Sequence, residues 1–183
     1  MSERQDLLAM HVQAIMQILG LDLQDTALCK TPTRVADFYL NFLFDGLKND
    51  QPPCIQAYLE PATHHEKVLL RDIPFVSVCA HHLVPITGKI SICYIPKELL
   101  IGFSKFYDLV HYYSRRPQLQ ESLTRQLADA IIDLLKTPDV YVHIKATHSC
   151  MLAQNSSSSI VETTAASGCF AAYSPLAVSN LST

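Results

Sequence analysis

The residues best equipped for chemistry in this chain fall into two short clusters. Cys79-Ala80-His81-His82 is the denser, and His148-Ser149-Cys150 lies far downstream. Two thiolates and one imidazole, from Cys79, Cys150 and His82, would fill three positions of a tetrahedral Zn²⁺ and leave the fourth for water. That is the arrangement of a catalytic rather than a structural site. Zinc held in this way lowers the pKa of its water towards ~7 and so supplies a nucleophile at neutral pH. His81 and His148 are left as proton carriers, since imidazole titrates near neutrality. Taken singly, the same residues read equally well as small buried thiols and locally hydrogen-bonded imidazoles. Two clusters, each at the end of a predicted strand, favour the metal.

The elements that must position these residues follow from hydrophobic periodicity. Leu8, Val12, Ile15, Met16 and Leu19 recur at helical spacing and predict an amphipathic helix over residues 5–19. Thr31-Pro32 offers an N-cap followed by a first-turn proline, and a second helix is expected to run to about Leu47. Gln51-Pro52-Pro53 then breaks the chain. From Lys67 the texture changes to Val, Ile, Phe and Tyr. Strands are expected over 67–79 and 89–95, joined through 81–88. Ser104 is positioned to cap a helix through Ser114, and Pro117 to open another through Leu135. Two more strands, 140–146 and 160–170, flank the polar loop Asn155-Ser156-Ser157-Ser158-Ser159. The order strand, strand, helix, helix, strand, strand describes an α+β unit built on a four-stranded antiparallel sheet. The organisation expected is an N-terminal helical part (1–66), a catalytic domain (67–175) and a short tail (176–183). The sheet's two open edges need a cover, and an oligomer that joins sheets into a barrel would supply one.

Composition narrows the functional classes. With 183 residues, about half of them apolar and 17% charged, the chain suits one domain with a substantial core rather than a disordered segment. The net charge of −3 and the lack of any basic run argue against nucleic acid as a partner. No apolar stretch reaches the ~18 residues of a membrane span, and the N-terminus lacks the apolar block of a signal peptide, so a cytoplasmic location is expected. The six cysteines (29, 54, 79, 93, 150 and 169) are irregularly spaced. In that compartment they are expected to be thiols or metal ligands rather than disulfides.

Other candidates are softer. Gln120 and Glu121 sit early in the helix predicted from Pro117, where an acid is favoured by the helix dipole whatever its function. Lys105 after Ser104, and the Arg115-Arg116 pair, would ordinarily be surface residues.

Across residues 31–170 the sequence resembles GTP cyclohydrolase I. The similarity rests on several motifs in order: Thr31-Pro32-Thr33-Arg34-Val35-Ala36, Cys79-Ala80-His81-His82, Tyr94-Ile95-Pro96, Ile101-Gly102-Phe103-Ser104-Lys105, Arg116-Pro117-Gln118-Leu119-Gln120-Glu121 and His148-Ser149-Cys150-Met151. The resemblance implies a tunnelling fold, with sheets joined into a barrel, pentameric rings stacked as a decamer and sites at subunit interfaces. It implies zinc on Cys79, His82 and Cys150, and proton transfer by His81 and His148. It further implies a small-molecule purine as substrate, its guanine edge on Gln120 and Glu121, and Ser104, Lys105 and Arg34 on the ribose and phosphate side. The family reaction hydrates C8 of guanine, opens the ring, releases formate and closes a pteridine. A carboxylate at Glu121 could accept from two guanine N–H donors at once.

Departures from the family's pattern share one sign. Asp37 and Asp108 stand where the family carries a lysine and an arginine. The stretch 154–158 lacks the family's Arg-Gly pair and is about two residues shorter. Ala80 replaces a glutamate, which would alter the surroundings of the metal ligands. At ~4–5 Å and an effective dielectric of about 20, reversing one charge shifts its interaction with a phosphate by several kcal/mol. The expectation is therefore a zinc-dependent hydrolase that acts on a guanine-like purine with few or no phosphates: a nucleoside, a base or an oxidised purine. An authentic GTP cyclohydrolase I, with charge supplied by Arg34, Lys105, His111 or Arg115, and a non-catalytic binding homologue are the alternatives. The short C-terminus also suggests that ring stacking could differ.

Overall fold

The structure is a computed structural model. It describes residues 2–48, 51–53, 59–155 and 159–172, so the proposed tail, Cys54 and most of the serine run lie outside the described residues. Four long antiparallel strands form the expected sheet: β2 (Val68–Cys79), β3 (Pro85–Tyr94), β6 (Val140–His148) and β7 (Ile160–Ala166). They lie side by side in that order, with a fifth, two-residue strand β5 (Pro117–Gln118) on the outer edge of β2. A separate small ribbon pairs β1 (Leu59–Pro61) with β4 (Leu99–Ile101). The helices α3 (Ser104–Ser114) and α4 (Gln120–Leu135) fill the connection between β3 and β6. Their apolar faces close one core on the sheet. Phe106, Leu109, Val110, Leu123, Leu127 and Ile131 meet Ile73, Ile90, Ile92, Val142 and Ile144 there, all buried.

Two registers place the chemistry. Val78 pairs with Pro85 and Ile86 pairs with His148, so the end of β2, the start of β3 and the end of β6 meet at one edge of the sheet. At the opposite edge Val68 pairs with Tyr94, and Tyr94 with Val140. A bulge between Leu70 and Ile73 sets Asp72 at φ 57° without disturbing either end.

In the N-terminal part, α1 (Glu3–Ile18) and α2 (Thr31–Phe38) are as expected, but Thr31 is the first helical residue and Lys30 the cap. A π-helical turn (Tyr39–Leu43) and a 3₁₀ turn (Asp45–Leu47) carry the path onward to Leu47. Arg116 donates to the Gly46 carbonyl (2.6 Å) and Arg115 to that of Phe42 (2.6 Å), so the pair ties this part to the end of α3 rather than standing on the surface alone.

Three predicted boundaries shift for identifiable reasons. Pro117 does not open a helix. Ser77 Oγ donates to the Arg116 carbonyl and the Ala80 amide to that of Gln118, which holds 117–118 as a strand; α4 starts only at Gln120, with Leu119 extended before it. Ser104 is the first residue of α3, with Phe103 in the cap position and no capping side chain. The last strand stops at Ala166 because Gly168 turns at φ 57° into a short 3₁₀ segment. Also absent from the sequence reading is α5 (Ser149–Asn155), which follows directly on β6.

Candidate metal centre

Cys79 ends β2, His82 sits in the turn that follows, and Cys150 is the second residue of α5. The turn is tight: the Leu83 amide donates to the Cys79 carbonyl (2.8 Å), the Cys79 amide to that of Val84 (2.9 Å), and Leu83 takes φ 56°. This closure brings His82 back over Cys79. Cys79 Sγ lies 3.6 Å from His82 Nδ1 and 3.8 Å from Cys150 Sγ. All three donor atoms fall within 4.8 Å of one another. A tetrahedral ion at ~2.3 Å from sulfur and ~2.0 Å from nitrogen separates its ligands by about 3.8 Å for S···S and about 3.5 Å for S···N. The two edges from Cys79 match those values and the third donor pair lies within 4.8 Å, so the donor set fits zinc.

The electrostatics agree. Burial and the adjacent Cys79 thiol push the Cys150 thiol above its ordinary value. Two sulfurs this close resist losing both protons unless a cation sits between them. Cys79 is buried, Cys150 partly so, and His82 exposed, which leaves the centre open on the His82 side.

Around the trio stand the predicted proton carriers. His81 is exposed, its ring 6.2 Å from that of His82. His148 Nε2 lies 2.8 Å from Gln120 Oε1. Burial lowers the His148 pKa, while the nearby Glu121 carboxylate acts in the opposite direction. Glu121 is exposed in the first turn of α4. Gln120, by contrast, is only 3% exposed, and its Nε2 donates to the carbonyls of Val161 (3.0 Å) and Ile144 (3.3 Å) and to Thr163 Oγ1 (3.1 Å). Thr124, Thr163 and the strand carbonyls behind Gln120 were not singled out in the sequence. Thr124 stands four residues after Gln120, a spacing that places both on one helix face and could have flagged it.

The remaining site residues lie elsewhere. Ser104 and Lys105 line a cavity of about 850 Å³ with Leu59, Tyr94, Ile101 and Phe103 at the far end of the sheet. From Pro85 to Tyr94 that is roughly 30 Å along β3, at ~3.4 Å per residue. Lys105 Nζ pairs with Asp108 at 2.9 Å. Arg34 is exposed on α2; on the same helix Asp37 accepts from Asn41 (2.7 Å), which in turn accepts from Lys48 (3.0 Å).

Comparison with known proteins gives the lineage. The family model described as GTP cyclohydrolase I matches residues 8–181. A GTP cyclohydrolase 1 of Aeromonas salmonicida is 42% identical over 87% of this chain and 74% of its own length. Proteins of the same name from Erwinia tasmaniensis (41%, covering 91% and 76%) and Haemophilus influenzae Rd (39%, covering 84% and 70%) are similar at comparable levels. Among solved structures, an archaeosine synthase QueF-Like protein in the apo form aligns with a TM-score of 0.47 at 23% identity, covering 58% of this chain and 96% of that one. Among the described residues no helix is long and apolar enough to cross a membrane. Matched by the family model over nearly its whole length, the chain belongs to the GTP cyclohydrolase I family.

Proposed function

We propose that this protein is a zinc-dependent GTP cyclohydrolase that opens the imidazole ring of the guanine in GTP and releases C8 as formate. The observation that carries the reading is the Cys79–His82–Cys150 trio, spaced for a tetrahedral ion and open on one side, in a chain 42% identical to a GTP cyclohydrolase 1. When bound, zinc supplies a Lewis acid that makes water nucleophilic at neutral pH.

The chain's own residues do the rest. Glu121 presents an exposed carboxylate that can accept from the guanine N–H donors. His148, kept largely neutral by burial, can take a proton from water and return it to the departing ring nitrogen. His81, on the exposed side of the turn, is the second proton carrier.

Ser104 and Lys105 contribute only if another copy of the chain brings its distal cavity to the metal end, because within one chain they stand at opposite ends of the sheet. Apolar residues are exposed at both ends, Leu83, Leu119 and Leu152 at one and Phe103 and Tyr107 at the other, as such an apposition requires. This favours a homo-oligomer with sites shared between copies; stacked pentameric rings are the form that membership of the family suggests for it.

One observation favours a second reading, a purine with few or no phosphates. Lys105 is held by Asp108, and an acid, Asp37, stands three residues beyond Arg34, so two cations that could meet a triphosphate have acids beside them or on the same helix face. The test is formate release by the zinc-loaded protein offered GTP, GMP, guanosine, guanine and 8-oxoguanine in parallel, with purine absorbance followed in the same wells. Turnover of GTP supports the first reading. Turnover confined to the phosphate-poor purines replaces it with the second. Silence on all five contradicts both.

A further inference from the structure

The buried contacts of Gln120 give it a role distinct from touching the purine. Its amide nitrogen faces two main-chain carbonyls, of Val161 and Ile144, which can only accept. Its third neighbour is Thr163 Oγ1, and the hydroxyls there form a directed chain. Thr124 Oγ1 donates to the main-chain carbonyl of Gln120 (2.7 Å), which spends its proton. Thr163 Oγ1, 2.7 Å from Thr124 Oγ1, then donates to it, leaving its own oxygen to accept from Gln120. The end of the amide that faces these groups must therefore be NH₂. The opposite end, facing His148 Nε2 at 2.8 Å, must be the carbonyl oxygen.

A carbonyl oxygen cannot donate, so Nε2 of His148 carries the hydrogen in this contact. We propose that Gln120 is a positioning residue that fixes His148 as the Nε2–H tautomer and leaves Nδ1 as the nitrogen that exchanges protons with the substrate. The elements behind it are rigid. Gln120 opens α4, whose inner face is buried, while Val161 and Ile144 belong to the paired strands β7 and β6. The lock thus depends on the β6–β7 register as much as on the side chain. Swapping the two ends of the amide would set its oxygen against two carbonyls and leave the NH₂ facing the imidazole, at the cost of the hydrogen bonds that its two N–H groups make there. That His148 moves protons during catalysis rests on the functional reading above; its tautomer does not.

The experiment combines spectroscopy with kinetics on the zinc-loaded protein. With ¹⁵N-labelled histidine, long-range ¹H–¹⁵N correlation spectra distinguish an Nε2–H ring from an Nδ1–H ring. Wild type is expected to show His148 as Nε2–H, and Gln120→Met to show a mixture of tautomers. Because Gln120 acts through His148, the Met variant should lose roughly 10–100-fold in kcat, the range for residues that orient a functional histidine, with KM within about twofold. Gln120→Glu, protonated on the oxygen that faces the strand carbonyls, keeps one donor towards them and an acceptor towards Nε2, and should retain the tautomer and more of the activity than Met. An Nδ1–H ring in wild type overturns the inference, as does a Met variant that raises KM while kcat stays unchanged. If Gln120→Met does not fold, the wild-type tautomer and the Glu variant decide. The spectra need no substrate, so failure of the functional reading would silence the kinetics and leave the tautomer result standing.

Discussion

Around Cys79, at one end of the sheet, buried polar groups hand hydrogen bonds from one to the next: Thr124 to the main-chain carbonyl of Gln120, Thr163 to Thr124, Gln120 to two strands, His148 to Gln120. Around Tyr94, at the other end, a fully buried phenol lines a large cavity with its hydroxyl unpartnered among the described residues, and burial pushes its pKa above the ordinary phenol value. One sheet carries both ends, and the same helices pack on it. The difference is that one chain supplies both the Cys79–His82–Cys150 trio and the hydrogen-bond network behind His148, whereas the distal end offers cavity walls and the Lys105–Asp108 pair. Chemistry that needs angstrom-level placement is built where the strand register can enforce it. Contacts that only have to cover a ligand are left to a cavity rim.

The largest break in this comparison comes from removing a metal ligand. Cys150→Ala should abolish stoichiometric zinc binding, measured by elemental analysis, and lower formate release on the order of 10³-fold or more, since water is not acidic enough at neutral pH without the ion. Next in size is Glu121→Gln. Replacing a charge-assisted contact to the purine by a neutral one should cost about 1.5–3 kcal/mol, a loss of roughly 10–100-fold in kcat/KM. Zinc content should stay unchanged.

A matched pair of substitutions sharpens the contrast through stability. Thr124→Val deletes a hydroxyl with two partners and is expected to cost about 1–2 kcal/mol. Tyr94→Phe deletes a buried hydroxyl with no hydrogen-bond partner among the described residues, and should be neutral or stabilising by about 1 kcal/mol. Thermal melting of both proteins checks the pair; equal losses would mean that the two ends are built alike. The smallest effect is expected from Asp108→Asn. It removes the Asp108 carboxylate from beside Lys105, and should lower the apparent KM for GTP only a few-fold, because the pair is partly exposed and screened. The gain should shrink as salt is raised.

Much of the metal end was legible in the sequence because its signals are local. Cys79 and His82 share one turn, His148 and Cys150 one strand end, and alternation of apolar residues announced the strands that carry them. Gln120 was legible as a position but not as a device. Its partners are main-chain carbonyls on β6 and β7, and those come within reach only through a register that no side-chain pattern encodes. Pro117 misled for a related reason. A proline before an apolar helix is a good start signal, yet here the neighbouring peptide groups were claimed by β2. The separation of Ser104 and Lys105 from the metal was invisible too, since motifs in sequence order carry no information about which end of a sheet they reach.

If the Cys79–His82–Cys150 centre holds the zinc that opens the guanine ring of GTP, turnover must follow the metal. The most direct test is formate release from GTP by one preparation measured zinc-loaded, after chelation and after reloading. Turnover is expected to disappear with the metal and to return with it at one zinc per chain. Undiminished turnover in demonstrably zinc-free protein, or none from GTP in the fully loaded protein, would contradict that role.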